Sequence, residues 1–528
     1  MTSRIATLFV VLLLICTGNL SAQDKHKIRQ AAGDQVASAK SQSITGAKVV
    51  CQNGFASGFP CQLSDLMSFV TNADLAGGLD STRPLETNDV WGWTDPMDNK
   101  EYVLQGMRGG TSFVDISDPE NPVVLGYLPT HTTPSTWRDI KVYNNHAFIV
   151  SEASGHGMQI FDLAQLRAVA SPPQLFTETA HYDMFSKAHN IVINEDTGFA
   201  YAVGANGGGT TCGGGLHMIN VTDPLNASFA GCFSDSMTSR GYSHDAQCVV
   251  YNGPDAEHAG KEICIGSNEN AISIADVTDK DNPVALAQGT YPQVEYVHQG
   301  WFSDDHRYFF QDDELDEGRR GNNTKTIVWD LEDLDDPVVL KEHIAATPVI
   351  DHNMYYKNGL LFQSNYTAGL RILDVSDPAN PVEVSFFDTV PSVNNVSFDG
   401  SWSNYPFFES GVIAVSSGSE GLFLVTTNVV GTAVEEAELP TQLTLSAPYP
   451  NPFDEQTSIT LTVDQTQQTE VLVYDMLGRQ VAVLFEGRIV PDAPQVVSFE
   501  ASTLPNGKYI IRATSETSAL SRVVTLIR

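Results

Sequence analysis

A repeating pattern of short strands and proline turns constrains the fold of this 528-residue chain more than any other feature. Each copy has alternating β-branched or aromatic residues, then Asp-Pro or Asn-Pro turn chemistry, then a second alternating run, which is typical of antiparallel strands. Five clear copies and two weaker ones, at 158 and 421, begin in chain order at Thr111, Met158, Leu216, Ile272, Thr326, Leu370 and Gly421. Helical periodicity is almost absent, so the pattern predicts an all-β protein.

Two further strand-like runs precede each copy, as in the segment with HNIVIN, FAYAVG, GLHMINV and SFAGCF. Four strands that recur roughly every 50 residues predict the blades of a β-propeller, which bury their faces by stacking around an axis. Seven copies between residues 88 and 430 therefore predict seven blades. The last copy lacks a clear fourth strand, so we expect the segment near Ile44–Val50 or its neighbours to complete that blade.

An equivalent pair of polar residues opens the first predicted strand of each blade. The first members are Asn88, Arg138, His189, His244, His298, His352 and Ser403. The second members are Asp89, Asp139, Asn190, Asp245, Gln299, Asn353 and, less clearly, Asn404. Because the first strand of a blade lies nearest the central channel, these pairs predict an axial polar ring with histidine from four consecutive blades.

This ring has two interpretations. It can satisfy strand-end amides and hold water, or its imidazoles can converge on an anionic ligand or on a metal such as Zn, Cu or Fe. Adjacent strand residues point to opposite sides, so only one member of each pair faces the channel. If the second members face it, their oxygen atoms favour a hard cation such as Ca²⁺. The sequence leaves these alternatives open.

A second acidic cluster follows a predicted strand, where a loop is expected. Its carboxylates are Asp312, Asp313, Glu314, Asp316 and Glu317. A solvated loop, a Ca²⁺ site and a partner surface are all consistent with it, and its spacing does not match an EF-hand. Since neither G-x-S-x-G nor H-E-x-x-H occurs, the sequence identifies no catalytic residues.

Six of the seven cysteines lie outside the N-terminal apolar segment, and an even number in an exported chain favours disulfides. One pair brackets a Gly-rich segment, and the other two pairs lie on neighbouring predicted strands. The predicted disulfides are Cys51–Cys61, Cys212–Cys232 and Cys248–Cys264. A metal cluster is the alternative, but no CxxC spacing occurs.

Charge and the N-terminal segment limit the cellular role. The chain has 29 basic and 64 acidic residues, a net charge of −35, which disfavours binding to nucleic acid and to anionic lipid.

The N-terminal segment predicts a secretory signal peptide. It has Arg4, then an apolar core from Ile5 to Cys16, and then small residues up to Ala22. This core is too short to span a bilayer, and no other run is long and apolar enough, so we expect no transmembrane span in the mature chain.

Several long motifs agree in order with a known family. NDVWGWTD, WRDIKVYNNHAFIVSE, GYSHDAQCVVYNGPD and HQGWFSDDHRYFFQDDELDE resemble the choice-of-anchor B family, which carries LVIVD-type repeats. The resemblance covers residues 51–430. It implies a β-propeller that is secreted or displayed on the cell surface, and it implies no established activity.

The C-terminal tail shows a second resemblance. Short alternating strands with Pro-Asn, Leu-Gly and Asn-Gly turns predict a small β-sandwich over residues 443–528. Its YPNPF, VYDMLGRQV and LPNGKYIIR motifs resemble the type A sorting domain of the Bacteroidota type IX secretion system. The motif residues are Pro450, Asn451, Pro452, Gly478, Arg479, Gly507 and Tyr509. The resemblance implies Sec export, passage through the type IX machinery and, often, tail removal with attachment to surface lipopolysaccharide.

The predicted organisation has five parts. They are a signal peptide (1–22), an N-terminal segment that partly closes the propeller (23–87), a seven-bladed β-propeller (88–430), an acidic linker (431–442) and the sorting domain (443–528). We expect a secreted or cell-surface module that binds an unknown extracellular ligand. The alternative is a metal-dependent hydrolase or oxidoreductase with a His-lined axial site, and a purely architectural role is a third hypothesis.

Overall fold

The structure is a computed structural model that describes residues 42–429, 444–446, 448, 450–463, 466–475, 479–491, 495–502, 504–515 and 519–528. The predicted signal peptide (1–22), the linker (431–442) and Gly478 lie outside the described residues. The chain divides into two compact units, residues 1–433 and 434–528. Both units are built from β-sheets.

Asx turns shape the five clear copies of the repeat. The third strand of a sheet ends at an Asp or Asn whose side chain accepts a hydrogen bond from the backbone N–H two residues later, as Asp115 does from Ser117 and Asp374 does from Ser376. A second Asp three residues further on repeats this contact, as Asp377 does with Ala379. Because Asx turns of this kind reverse the chain without help from other segments, the fourth strand starts at the same place in each of these five copies.

Sheets 1, 2 and 3 cover residues 87–233. Sheet 1 has the strands Thr87–Thr94, Glu101–Met107, Gly110–Asp115 and Val123–Pro129, with Gln174–Leu175 parallel to the last strand. Sheet 2 has the strands Arg138–Tyr143, His146–Ser151, Met158–Asp162 and Ala180–Tyr182. Sheet 3 has the strands Asn190–Asn194, Phe199–Val203, Leu216–Asn220 and Ser228–Phe233.

Sheets 4 to 7 complete the first unit. Sheet 4 has the strands Asp245–Val250, Glu262–Ser267, Ile272–Asp276 and Val284–Gly289. Sheet 5 has the strands Val297–Phe302, Tyr308–Asp313, Lys325–Asp330 and Val338–Ile344. Sheet 6 has the strands Met354–Lys357, Leu360–Ser364, Leu370–Asp374 and Val382–Phe387, extended by Phe59–Gln62 and Phe55–Ala56. Sheet 7 has the strands Ser401–Tyr405, Val412–Ser417, Gly421–Thr427 and Ser64–Thr71.

The first strands of these sheets form a closed circle. Each contacts the first strand of the next sheet, and the first strand of sheet 7 contacts that of sheet 1. An apolar cluster fills every gap between neighbouring sheets, for example Phe148 with Ile191 between sheets 2 and 3. Stacking therefore buries both faces of each sheet, which a single sheet of this kind cannot do.

The N-terminal segment supplies the outer strand of sheet 7. Ser64–Thr71 pairs antiparallel with Gly421–Thr427. The fourth strand of sheet 7 therefore comes from a segment next to Ile44–Val50, as the prediction allowed. Ile44 and Val49 form isolated bridges to its far side, at Phe69 and Leu66.

The three predicted disulfides are present. Cys51–Cys61 links two parts of the N-terminal segment, and Cys61 lies in a strand that extends sheet 6. Cys248–Cys264 joins the first two strands of sheet 4, where the two residues are register partners. Cys212–Cys232 joins the turn before the third strand of sheet 3 to its fourth strand.

Helices are short wherever the structure describes the chain. The α-helices are Asn72–Ala76 and Asp316–Arg320, and the 3₁₀-helices are Leu163–Ala168, Cys212–Gly214, Pro224–Asn226 and Ser239–Gly241. Within the described residues, no helix has the length and apolar character that a membrane crossing requires.

The second unit contains two further sheets around one apolar core. Sheet 8 has the strands Thr444–Leu445, Gln456–Thr462 and Gln495–Glu500. Sheet 9 has the strands Gln480–Ile489, Gln467–Asp475, Gly507–Ser515 and Ala519–Leu526 in spatial order. Side chains from both sheets, including Ile459, Phe499 and Ile511, pack in the same cluster.

Two of the sorting-motif residues make specific contacts in this unit. The Asn451 side chain bonds to the backbone of Val523 and Thr525, so it joins the start of the unit to its last strand. Tyr509 is buried and donates its hydroxyl to the Pro505 carbonyl at 2.7 Å. Of the other motif positions, Pro450, Pro452, Arg479 and Gly507 are exposed.

Replacing Phe69 by Ala should lower the free energy of unfolding of the first unit by about 3–5 kcal/mol, since a fully buried ring would be lost. The Phe69 ring packs against Phe59 and Phe423, so it joins the closing strand to its neighbours. Chemical denaturation monitored by circular dichroism measures the change. Phe55→Ala is the matched control, because Phe55 is 55% exposed. Equal stability of the two variants would contradict the importance of this closure.

Candidate functional site

The four predicted histidines form an arc around the start of the first strands. Consecutive ring centroids lie 4.1 Å apart for His189 and His244, 4.4 Å for His244 and His298, and 4.4 Å for His298 and His352. All four are buried and line one axial pocket. The first members of four opening pairs therefore supply the imidazoles of this pocket. Both members of three pairs reach it, since Asp139, Asn190 and Asn353 line it as well.

Each imidazole is held through Nδ1. His189 bonds to Glu152 Oε1 at 2.6 Å, and His298 bonds to Asp312 Oδ2 at 2.9 Å. His244 bonds to the carbonyl of His298 at 3.1 Å, and His352 bonds to the carbonyl of Trp402. A carbonyl can only accept, so the last two histidines carry their proton on Nδ1. The lone pair of a neutral imidazole is then on Nε2, the tautomer that suits metal binding.

His298, His352 and Glu314 bring three ligand atoms together. Nε2 of His298 lies 3.9 Å from Glu314 Oε2, and Nε2 of His352 lies 3.7 Å from Glu314 Oε1. The three side chains are buried, and their ligand atoms fall within 4.8 Å of one another. Tyr366 donates its hydroxyl to Glu314 Oε1 at 3.2 Å and so orients the carboxylate. This group has the composition and spacing of a metal site.

The second members of the opening pairs mainly tie neighbouring sheets together. Asp89 accepts from the Ile140 amide of sheet 2 at 3.1 Å, and Asp139 accepts from the Ile191 amide of sheet 3 at 2.7 Å. Gln299 of sheet 5 bonds to both the amide and the carbonyl of Met354 in sheet 6. These contacts satisfy buried strand-end amides, as the first interpretation of the ring expects.

The other second members continue this network. Asn353 donates to Ser403 of sheet 7 at 3.4 Å, and Asn190 hydrogen-bonds Asp245. Asp245 accepts from its neighbouring amide, and burial raises its pKa to about 6. Asn404 donates to the carbonyl of Phe362 in sheet 6. Since these groups serve the interfaces between sheets, the geometry favours the histidine ring over the carboxylate ring as the ligand site.

Lys141 is a charge in the channel that sequence reasoning missed. Its ammonium lies 2.8 Å from Asp139 and 3.5 Å from Asp89, and also lies over the Trp91 ring. Burial disfavours the charged form, but the two carboxylates outweigh burial and raise the pKa of Lys141. Burial raises the pKa of Asp139 well above its usual range, against the effect of Lys141.

In sheets 1, 2 and 7, the first member of the opening pair is a residue other than histidine. Asn88 donates to the Thr136 carbonyl at 2.9 Å. Arg138 donates Nε to the Met107 carbonyl at 3.1 Å and contacts His156, and burial lowers the pKa of Arg138 to about 10. Ser403 bonds to the Tyr355 hydroxyl at 3.2 Å. The imidazole arc is therefore confined to sheets 3 to 6.

The acidic cluster lies mainly in a strand and a short helix, whereas the sequence predicted a loop. Asp312 and Asp313 belong to the strand Tyr308–Asp313, and Asp316 and Glu317 begin the helix Asp316–Arg320. All five carboxylates are at most 2% exposed, so the interpretations as a solvated loop or a partner surface are wrong. Asp312 hydrogen-bonds His298, and Glu314 lies beside His298 and His352. The Asp313 carboxylate instead accepts hydrogen bonds from two backbone amides and from the Tyr291 hydroxyl.

The second unit matches a protein family. Residues 447–526 match the secretion system C-terminal sorting domain. The chain is therefore exported, through the type IX secretion machinery, to the cell surface or the extracellular space. Residues 365–389, in sheet 6, match the LVIVD repeat. The wider resemblance to the choice-of-anchor B family stays a prediction.

Solved structures show distant likenesses. A functionally unknown protein from Desulfotomaculum acetoxidans DSM 771 is 13% identical with a TM-score of 0.43, over 70% of this chain and 98% of its own. A protein from Lactobacillus plantarum is 12% identical with a TM-score of 0.41, over 79% of this chain and 100% of its own. The C-terminal WD40 domain of Sif2 is 10% identical with a TM-score of 0.41, over 66% of this chain and 84% of its own. No curated protein matches the chain.

Replacing Lys141 by Met should lower the free energy of unfolding by about 3–5 kcal/mol, because it leaves two buried carboxylates without their cation. The double variant Lys141→Met/Asp139→Asn should recover part of this loss, since one of those charges is removed as well. Denaturant titration of both variants at pH 7 measures the difference. A single variant as stable as the wild type would show that Lys141 does not compensate these carboxylates.

Proposed function

We propose that this protein is an exported surface module built on a seven-bladed β-propeller, with a small β-sandwich as its sorting domain. The closed circle of first strands, with an apolar cluster in every gap, supports the propeller. The shared core of sheets 8 and 9 supports the sandwich. The function resides in the axial pocket, which binds a divalent transition metal.

The group formed by His298, His352 and Glu314 carries this proposal. In a tetrahedral zinc site with bonds of ~2.0–2.1 Å, ligand atoms lie roughly 3.3 Å apart. The separations of 3.7 Å and 3.9 Å between each Nε2 and the nearest Glu314 oxygen are close to that value. Both imidazoles are already oriented through Nδ1, which outer-shell partners of metal ligands commonly do. The site therefore needs little rearrangement to hold the ion.

Two histidines and one carboxylate favour Zn²⁺, and they also accept Cu or Fe. Three protein ligands leave a coordination position for a ligand from outside the protein. The rest of the pocket wall is partly aromatic and partly polar. Its aromatic residues are Trp137, Tyr366, Phe398 and Trp402, and its polar residues are Asp89, Arg138, Asp139, Asn190 and Asn353. The space for water-sized groups is only about 30 Å³, which fits an ion and one small donor group. The extracellular ligand thus presents a single oxygen or nitrogen donor to the metal.

Purified full-length protein should contain about one transition metal ion per chain. His352→Ala and Glu314→Gln should each reduce the metal content at least tenfold, because each removes one of three ligands. Elemental analysis by mass spectrometry after dialysis measures the content. His306→Ala is the matched control and should retain the metal, since His306 lies at a different pocket. Wild-type protein that neither contains nor takes up Zn, Cu or Fe would refute the proposal.

A second function, metal-dependent catalysis, is favoured by the same three-ligand arrangement, which catalytic zinc sites use with a water in the open position. The metal-loaded wild type should then hydrolyse an activated ester or phosphoester or, if the metal is Cu or Fe, reduce oxygen with electrons from an added reductant such as ascorbate. Loss of that turnover in His352→Ala, with His306→Ala unaffected, would favour the enzyme. Metal binding without turnover favours the binding module.

We also propose that the tail is removed after export and that the protein is then attached to surface lipopolysaccharide. A chain truncated after Val430 should accumulate in the periplasm, because it lacks the segment that the type IX machinery recognises. Fractionation with surface protease digestion measures its location. A reporter protein fused to residues 431–528 is the complementary control and should reach the surface. Normal display of the truncated chain would contradict this role of the tail.

A further inference from the structure

A second cavity lies at the opposite end of the channel from the histidines. Its volume is about 430 Å³, which suits a small-molecule ligand. Its lining comes largely from the middle and the end of the first strands, for example Trp91, Asn194 and Trp301, whereas the histidines stand at the start of these strands. Lys141 lines this cavity and bonds to Asp139 of the axial pocket, so their ion pair separates the two spaces.

One part of the lining is an aromatic wall. Trp301, Tyr405 and Phe407 are half-buried, so each offers part of its ring to the cavity. The ring centroids of Trp301 and Phe407 lie 6.0 Å apart, and those of Tyr405 and Phe407 lie 5.4 Å apart. Trp91 packs against Tyr405 at 5.1 Å. Gly92 permits this packing, because a Cβ atom there would lie 2.1 Å from the Tyr405 ring.

Another part of the lining is acidic. Glu195 and Asp196 are exposed and directly follow the first strand of sheet 3. In the part of the chain that the structure describes, neither carboxylate forms a salt bridge. Burial raises the pKa of Tyr405, and the negative charge of Glu195 adds to this effect. The Glu195 carboxylate therefore acts on the aromatic wall of the same cavity.

The basic groups of the lining do not offset these two carboxylates. The Lys141 ammonium is already bound to Asp139 at 2.8 Å and lies 3.5 Å from Asp89. Burial lowers the pKa of His306, so this imidazole is neutral at pH 7. The cavity therefore has an excess of negative charge, which favours a cationic ligand over a neutral or an anionic one.

Two of the three amide side chains in the lining are already engaged. Asn194 donates to Glu262 at 2.7 Å and accepts from the Asp196 amide at 3.2 Å. Gln247 accepts from the Phe302 amide at 2.7 Å. A neutral sugar has many hydroxyl groups, which need donors as well as acceptors, so these bonds disfavour a sugar site.

We propose that this cavity binds a small organic ligand with an alkylated ammonium group. The aromatic wall attracts such a cation through its ring faces, and a tryptophan such as Trp301 does so most strongly. The alkyl groups contact the rings and need no hydrogen-bond partner, while Glu195 and Asp196 supply the opposite charge. The inference does not depend on the metal site of the axial pocket.

The test is isothermal titration calorimetry of the full-length protein with choline chloride and with 3,3-dimethylbutan-1-ol, the neutral isostere of choline. One choline should bind per chain, and the alcohol should bind at least about tenfold more weakly, because it lacks the charge that the rings and carboxylates attract. Equal affinity for the two compounds, or no binding of choline at millimolar concentration, overturns the proposal. Binding of maltose without binding of choline overturns it in favour of a neutral sugar site.

Charge variants locate the site. The double variant Glu195→Gln/Asp196→Asn should weaken choline binding at least about tenfold and leave the affinity for the alcohol unchanged, since only the charge of the lining changes. Glu257→Gln/Asp281→Asn is the matched control, because it removes the same charges from exposed positions outside the cavity. It should bind choline as the wild type does. Wild-type affinity for choline in Glu195→Gln/Asp196→Asn overturns the assignment.

Two further variants test the aromatic wall and the independence of the two cavities. Trp301→Leu should weaken choline binding at least about fivefold, because it removes one ring face and keeps an apolar side chain. His352→Ala should lose the transition metal and keep choline binding, so the two proposals fail independently. Choline binding that Trp301→Leu leaves unchanged contradicts the role of the aromatic wall.

Discussion

The closed circle of first strands is the constraint on which the rest of this structure depends. A four-stranded sheet of alternating residues has two faces to bury, and stacking seven sheets around an axis buries both. The same closure forces the polar residues at the strand starts into a small, water-poor space. Each of them must therefore find a partner, and the partners in the structure are amides of the next sheet, carbonyl oxygens and opposite charges.

The two members of each opening pair divide this task. Asp89, Asp139 and Gln299 hold the backbone of the following sheet, so they fix the spacing of the circle. The histidines, one residue earlier, are held from behind by carbonyl or carboxylate oxygens and present Nε2 to the pocket. The structural and the ligand-binding interpretations of the ring are thus compatible, since they concern different residues of the same pair.

The repeat, the opening pairs of polar residues and the disulfides could be predicted from the sequence because each is a local pattern. The alternation of residues and the Asx turns at Asp115 and Asp374 depend on neighbours only two or three positions away. Sequence reasoning did not identify Lys141, Glu152 or Trp402, because each contacts a side chain from a neighbouring repeat and no local pattern marks them. No local pattern marked the burial of Glu317 either, since an acidic run ordinarily indicates a solvated segment.

Sheet 7 combines the two ends of the first unit, and this has a mechanical consequence. Gly421–Thr427 lies between Val412–Ser417 and Ser64–Thr71, with a ladder on each side. If the chain is held from a point beyond Thr427, tension from that attachment enters the unit through this strand. The strand then leaves the sheet only when both ladders are broken. The N-terminal strand thereby adds a second row of backbone hydrogen bonds that opposes this tension.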